Sequence, residues 1–410
     1  MRLKTSGDVV RGNLCLGCGA CAFICPKQGI TLADVLEEGI RPVVGDVDCT
    51  GCTECLRVCP GVETVVPSLN EASPFPAAIT QAWGPVLELW EGHATDPEIR
   101  FHGSSGGLLT ALSLFCLEQK GMHGILHIGQ DPEQPLRNAT GMSRTRAELL
   151  SKTGSRYAPA SACDRLDLIE TGPGPCVFIG QPSEVCALDK ARKLRPALDA
   201  KVGLTLSFFC AGSPARLGTV RLIEKLGLDP ARVKDLRYRG RGWPGMFSVT
   251  LKGESTPARQ ITYQESWGFV QAYRPWSVKL WPDGTGEWAD IACGDAWHRP
   301  PQPGDAGSSL IVIRTENGRG IFREAMAAGA VEARPATVDM LAKAAAGLLE
   351  KKRAIWGRQL AMRALRIPTT SHRGQSLYSL WKTQSAANMV RSVIGTLRRL
   401  ALRGSAGVRQ

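Results

Sequence analysis

Apolar residues fall along this chain in two alternating patterns. Short continuous runs at Gly124–Gly129, Cys176–Gly180, Val202–Cys210, Met246–Lys252 and Ser309–Arg314 predict buried strands. Between them, apolar positions three and four residues apart predict helices over Gly107–Gln119, Ser183–Leu194, Pro214–Leu226 and Gly320–Ala328. Strands alternating with helices indicate an α/β domain with a mixed sheet. A further helical pattern, Thr337–Arg366, runs into a tail. Before the first run, the Pro- and Ser-rich stretch Asn70–Pro76 has linker chemistry. These signals divide the chain into residues 1–72, 73–345 and 346–410, consistent with the two or three domains expected of 410 residues.

Charge sharpens that division. The net charge is +12, and residues 351–410 hold 13 Lys and Arg with no Asp or Glu. With those set aside, 37 basic residues face 38 acidic ones, so the body is neutral. A neutral body argues against nucleic acid as the principal ligand. In the tail, Met389, Val390, Val393, Ile394, Leu397, Leu400 and Ala401 form a helical stripe with Arg391, Arg398 and Arg399 off its centre. That pattern suits an anionic membrane surface or an acidic protein partner, and equally a basic helix packed on its own protein.

The chemistry lies in residues 15–60. Cys15, Cys18, Cys21 and Cys25 precede Pro26, and Cys49, Cys52, Cys55 and Cys59 precede Pro60, so C-x2-C-x2-C-x3-C-P occurs twice. This is the spacing of two 4Fe-4S clusters, each taking three thiolates from one run and the fourth from the other. Cys15, Cys18, Cys21 and Cys59 are expected on one cluster, and Cys49, Cys52, Cys55 and Cys25 on the second. Zinc knuckles pair their ligands two and two, which does not fit. The repeat implies an α+β ferredoxin-like two-cluster domain. Gly17, Gly19 and Gly51 suit a backbone curling around inorganic sulfide. Thiolates held reduced, with no apolar stretch in the first ten residues, point to the cytoplasm.

Three loops of the second domain could receive a cofactor. His102–Leu112 reads H-G-S-S-G-G-L-L-T-A-L, small residues opening an apolar helix, where a backbone can close on a phosphate. A plain tight turn explains it as well. Cys176–Val185 runs a buried strand into Gly180, Gln181 and Pro182, the strand-end position where α/β sheets bind ligands. Gly154–Ser161 sets Arg156 beside Tyr157, a cation next to a ring.

Together with Arg239–Gly245 and Pro282–Trp297, these stretches resemble the coenzyme F420 hydrogenase/dehydrogenase beta-subunit family over roughly residues 10–345. The family includes relatives acting on chlorophyll-type pigments, the 7-hydroxymethyl chlorophyll and divinyl chlorophyllide reductases. The resemblance implies an FAD-binding core exchanging electrons between iron–sulfur clusters and a two-electron substrate. It places Ser104, Ser105, Gly106, Gly107 and Thr110 at FAD phosphate, and Ser155, Arg156, Tyr157, Gly180, Gln181 and Pro182 around the rest of the flavin. Many relatives have G-T-P-C where this chain has Gly180–Ser183, and C-K-x-C where it has Val278–Trp281. Cys210 matches a further family cysteine. With three of four thiols absent, a third cluster is not expected.

Asp295 and Lys279 are the catalytic candidates, the acid to orient substrate or donate a proton and the lysine to attract an anion. A turn-capping aspartate and a solvated lysine are the plainer alternatives. The remaining cysteines read as small buried hydrophobes. The expected activity is an FAD and iron–sulfur oxidoreductase working with ferredoxin or F420 and an organic substrate. The alternatives are an electron-transfer subunit without its own substrate, and a redox protein peripheral to the inner membrane face serving polysaccharide synthesis.

Overall fold

A computed structural model describes residues 3–67 and 73–406. Of the expected linker Asn70–Pro76, residues 70–72 lie outside the described part. The centre is an eight-stranded sheet: β1 (Glu88–Ala94), β2 (Gly124–Gln130), β3 (Asn138–Ser143), β4 (Cys176–Gly180), β5 (Val202–Phe208), β6 (Ile291–Asp295), β7 (Ser309–Ile313) and β8 (Val331–Pro335). Their spatial order is β8-β1-β7-β6-β5-β4-β2-β3. Neighbours from β2 through β4 and β5 to β6 are parallel, and every other pair is antiparallel. The C-terminal ends of β1, β2, β4, β5 and β6 therefore share one edge, where ligands of open α/β sheets bind.

Strand alternation sends Ile125 and Val177 to one face and Leu126 and Phe178 to the other. The first face packs under helices Leu108–Glu118 and Glu316–Ala327 through Leu112, Phe115 and Phe322. The second packs under helix Pro182–Arg192 through Val185 and Leu188, and its core also takes in Ala20, Ile24 and Val58 of the N-terminal unit. That unit thus shares a buried core with the sheet.

Four expected strands lie in the central sheet within two residues of their sequence bounds. Met246–Leu251 instead belongs to a separate antiparallel sheet with Val233–Arg237 and Arg259–Thr262. The helical pattern over Thr337–Arg366 forms three helices, Val338–Ala344, Ala346–Arg353 and Ile355–Ala364.

Beyond them the chain returns to the N-terminal unit. Ser371–Arg373 pairs in parallel with Glu63–Val65, and the Thr370 hydroxyl donates to the Gly61 carbonyl at 2.8 Å. Helix Ala386–Ala406 turns Ser392 and Thr396 inward and leaves Val390 and Ile394 exposed. Its Leu400 joins Val9, Leu14, Trp276 and Met362 in a small core. Among the described residues, no helix is long and apolar enough to cross a membrane.

Candidate functional site

Cys15, Cys18, Cys21 and Cys59 line one small cavity, with Gly17, Gly19 and Pro60 beside them. Gly17 and Gly19 adopt φ of 78° and 85°, the left-handed region that glycine enters without strain. Burial pushes the Cys59 thiol up to about 12, with Cys15 adding to the shift. Burial likewise raises Cys18, with the nearby Cys59, Cys21 and Cys15 thiols adding to the rise. The other four thiols also converge, since Cys55 is raised by burial and by the proximity of Cys52, Cys49 and Cys25. These four are each partly exposed, whereas Cys15 and Cys18 are buried. No three Cys, His, Asp or Glu side chains among the described residues converge tightly enough to hold a single metal ion. The thiols are spread around the cavity wall, as ligands of a multi-iron cluster must be.

The first cysteine run packs on the 3-10 turn Ala162–Arg165 and the serine before it. Cys163 N donates to the Cys18 carbonyl at 3.0 Å, and the Ser161 hydroxyl donates to the Gly17 carbonyl at 2.6 Å. A Cβ on Gly19 would lie 2.8 Å from Asp164 Cβ and from its backbone nitrogen, so the contact admits only glycine. Glu184, behind it, accepts from Ala162 N and Gln181 N, both at 2.9 Å. Burial pushes its carboxyl up to about 7.

Two of the candidate cofactor loops meet farther along the edge, where Ser155 N donates to the Ser104 hydroxyl. Ser105 donates to the Ser308 carbonyl at 2.7 Å. Gly106 is squeezed against backbone, with a Cβ there only 2.7 Å from the Gly92 carbonyl oxygen. Gly107, at φ 70°, caps helix Leu108–Glu118, and Thr110 lies half-buried in its first turn. Arg156 has a purely internal job. Its guanidinium donates to Asn138 Oδ1, Gln130 Oε1 and the carbonyls of Leu236, Pro135 and Arg137, at 2.6 to 3.2 Å. The cation facing the joined loops is instead Arg237. Its Nη1 lies 3.4 Å and 3.2 Å from where Cβ atoms of Gly154 and Gly240 would be. Tyr157 packs against Tyr238, Tyr263 and Trp267, ring centroids 4.9 to 6.2 Å apart.

Asp295, at the end of β6, is held on both oxygens. Arg239 donates to them at 2.8 and 2.6 Å, and Trp243 Nε1 at 2.8 Å. Burial pulls the Arg239 guanidinium down, but the neighbouring Asp295 carboxylate outweighs it and its pKa is raised. Arg239 also lies 4.7 Å over the Tyr263 ring. So held, Asp295 is an acceptor that fixes Arg239 beneath the aromatic cluster.

The third loop faces a different part of the edge. Gln181, Pro182, Ser183, Cys210, Val278 and Trp281 line one cleft between the sheet and the N-terminal unit. The four positions expected to correspond to cluster cysteines in relatives do come together, and only Cys210 carries a thiol. Lys279 lies half-buried on helix Trp276–Leu280, beside the cleft wall rather than on it. Because β6 pairs with β5 at Cys293 and Phe208, Asp295 and Cys210 end adjacent strands.

Family models agree with this layout. That for the beta-subunit N terminus of coenzyme F420 hydrogenase/dehydrogenase matches residues 89–166, and that for its C terminus matches 175–339. The chain belongs to the coenzyme F420 hydrogenase/dehydrogenase beta-subunit family. A 4Fe-4S dicluster domain matches residues 14–61, so this member carries an N-terminal iron–sulfur domain. Coenzyme F420 hydrogenase subunit beta of Methanothermobacter thermautotrophicus is 24% identical, over 65% of this chain and 90% of that protein. The coenzyme F420-dependent sulfite reductase of Methanocaldococcus jannaschii is 22% identical over 77% of this chain, and the match spans 46% of the reductase. A chain of the F420-reducing [NiFe] hydrogenase complex of Methanosarcina barkeri shares the fold, with a TM-score of 0.54 and 21% identity over 68% of this chain and 94% of that one.

Sequence reasoning missed Arg237, Arg239 and Lys351. The first two sit in R-Y-R-G-R-G-W, an arginine alternation that could have drawn attention. Lys351 gave no signal among the tail's many basic residues.

Proposed function

We propose that this protein is an iron–sulfur flavoprotein oxidoreductase passing electrons between two 4Fe-4S clusters and FAD, to reduce or oxidise an organic two-electron substrate or coenzyme F420. The carrying observation is the docking of the first cysteine run on residues 161–164 through Cys18, Gly17 and Gly19, which sets Leu16 and Gly17 in one cleft with Gln181 and Cys210, just beyond the ends of β4 and β5. Electrons leaving Cys15, Cys18, Cys21 and Cys59 thereby enter the strand ends where a cofactor binds. The more exposed set, Cys25, Cys49, Cys52 and Cys55, faces the electron donor or acceptor, a ferredoxin or F420.

The edge suits a flavin dinucleotide. Ser104, Ser155 and the half-buried Arg237 would meet its phosphates, with Gly154 and Gly240 keeping Arg237 clear of side chains. Tyr157, Tyr263, Trp243 and Trp297 offer apolar faces, with Arg239 and Asp295 as the charged group beneath them. FAD supplies the conversion between single electrons and a pair. Arg156 is reassigned to scaffolding, and a third cluster is not part of this reading. The test is anaerobic mixing with reduced F420, followed by visible absorbance. Bleaching of flavin and clusters supports the reading; a chain that retains both and transfers no electrons from F420 or ferredoxin refutes it.

A further inference from the structure

The cleft at Gln181 and Cys210 carries chemistry that the flavin reading leaves unused. It lies between Leu16 and Gly17 of the N-terminal unit and the ends of β4 and β5, partly open to solvent. Three groups on its wall are buried polar atoms with no hydrogen-bond partner: Ser277 Oγ, Trp281 Nε1 and Lys351 Nζ. Each carries a proton to donate, and a buried donor without an acceptor is strongly disfavoured.

The acceptors nearby are already engaged. Asp283 takes backbone amides from Thr285, Gly286 and Glu287 at 2.7 to 2.9 Å. Gln181 Oε1 faces the Cys210 thiol and the Ser213 hydroxyl. Charges of both signs surround Lys351: the Asp283 carboxylate favours its proton, while Arg274 and Arg358 disfavour it. Arg274 spends its donors on the Ala211 and Gln271 carbonyls. Burial, the larger effect, pulls the Lys351 ammonium down to about 8, and an anion beside it would restore it.

We propose that this cleft binds a small oxyanion, a carboxylate or an inorganic oxyanion, held by Lys351 Nζ, Trp281 Nε1 and Ser277 Oγ. Three unpartnered donors on residues of one cleft, one of them cationic, match the several acceptor lone pairs of one anion. The inference does not depend on flavin. Its position next to Leu16 and Gly17, between Cys15 and Cys18, puts the bound charge against the first cluster. There it favours the oxidised form of that centre.

The test is calorimetric titration of the full-length, anaerobically purified protein with sodium formate and, separately, sodium sulfate, at constant ionic strength set with chloride. Saturable binding of one anion per chain is expected. Formate alone identifies a carboxylate site, sulfate alone a tetrahedral oxyanion site, and competition between them a shared one. Lys351→Met is expected to weaken binding about tenfold or more, and Ser277→Ala several-fold, with iron content unchanged. If Lys351→Met loses iron, Ser277→Ala and Trp281→Phe carry the test. No saturable binding of either anion overturns the proposal, as does wild-type affinity in iron-replete variants.

Discussion

Replacing Arg156 by Met separates scaffolding from cofactor binding. Its guanidinium satisfies two side-chain oxygens and three main-chain carbonyls drawn from Gln130, the Pro135–Asn138 segment and Leu236. It thereby ties β2, β3 and the three-stranded sheet together. Each buried acceptor left unpaired costs about 1–3 kcal/mol, and the half-buried setting lets water recover part of that. A net loss of roughly 3–5 kcal/mol follows, within the range seen when a buried charge network is broken. That corresponds to a fall of about 4–6 °C in Tm for a chain of this length. The companion variant is Arg237→Met, whose guanidinium makes no hydrogen bond or ion pair among the described residues; it is expected to leave Tm nearly unchanged and to lower flavin retention about tenfold or more. Urea unfolding and flavin content per chain read both variants. Wild-type stability in Arg156→Met accompanied by flavin loss would refute the reasoning.

Cys59→Ser is expected to remove the cluster of Cys15, Cys18 and Cys21, and Cys25→Ser the other; each lowers iron from about eight to about four per chain, with distinct electron paramagnetic resonance spectra. Lys352 and Glu287 form a buried pair at 2.6 Å with side chains 4% and 2% exposed; Lys352→Met alone should cost about 3–5 kcal/mol in urea unfolding, and less when Glu287→Met is added. Glu184 gives a pH dependence. Its folded pKa, raised to about 7 from 4.5, means its contribution to stability is full below about pH 4.5 and is lost as pH rises through about 7, roughly 3 kcal/mol in all. Between pH 5 and 8 the wild type should therefore lose more Tm than Glu184→Gln, and parallel curves would contradict this.

The cysteine motif was legible because three of each four ligands lie within one short, locally curled segment, so spacing alone carries the geometry. Strands β2, β4, β5 and β7 were legible because burial on both faces makes them continuous apolar runs. β1, β3 and β6 were not, since residues such as Glu91, Asn138 and Asp295 interrupt the pattern with groups whose partners come from elsewhere in the chain, and in β8 the exposed Glu332 breaks the apolar run. Arg156 misled for the same reason. Nothing local distinguishes a phosphate-binding arginine from one surrounded by five acceptors that long-range folding delivers. The apolar stripe near residue 390 left an outward and a self-packed face equally open; the helix buries Ser392 and Thr396 and leaves Val390 and Ile394 of the stripe exposed, in a register that Trp381 helps to set by donating to Ser392 at 3.0 Å. The cleft's three donors became visible only once helices from the tail and the strand ends met.

Cofactor analysis of the anaerobically purified chain decides between a flavin-linked oxidoreductase and a bare electron-transfer subunit. The account expects about eight iron and about eight sulfide, from two 4Fe-4S clusters, together with one FAD bleached on adding reduced F420 or reduced ferredoxin. Eight iron without flavin would contradict the oxidoreductase reading and leave an electron-transfer subunit. Zinc in place of iron would contradict the account at its root.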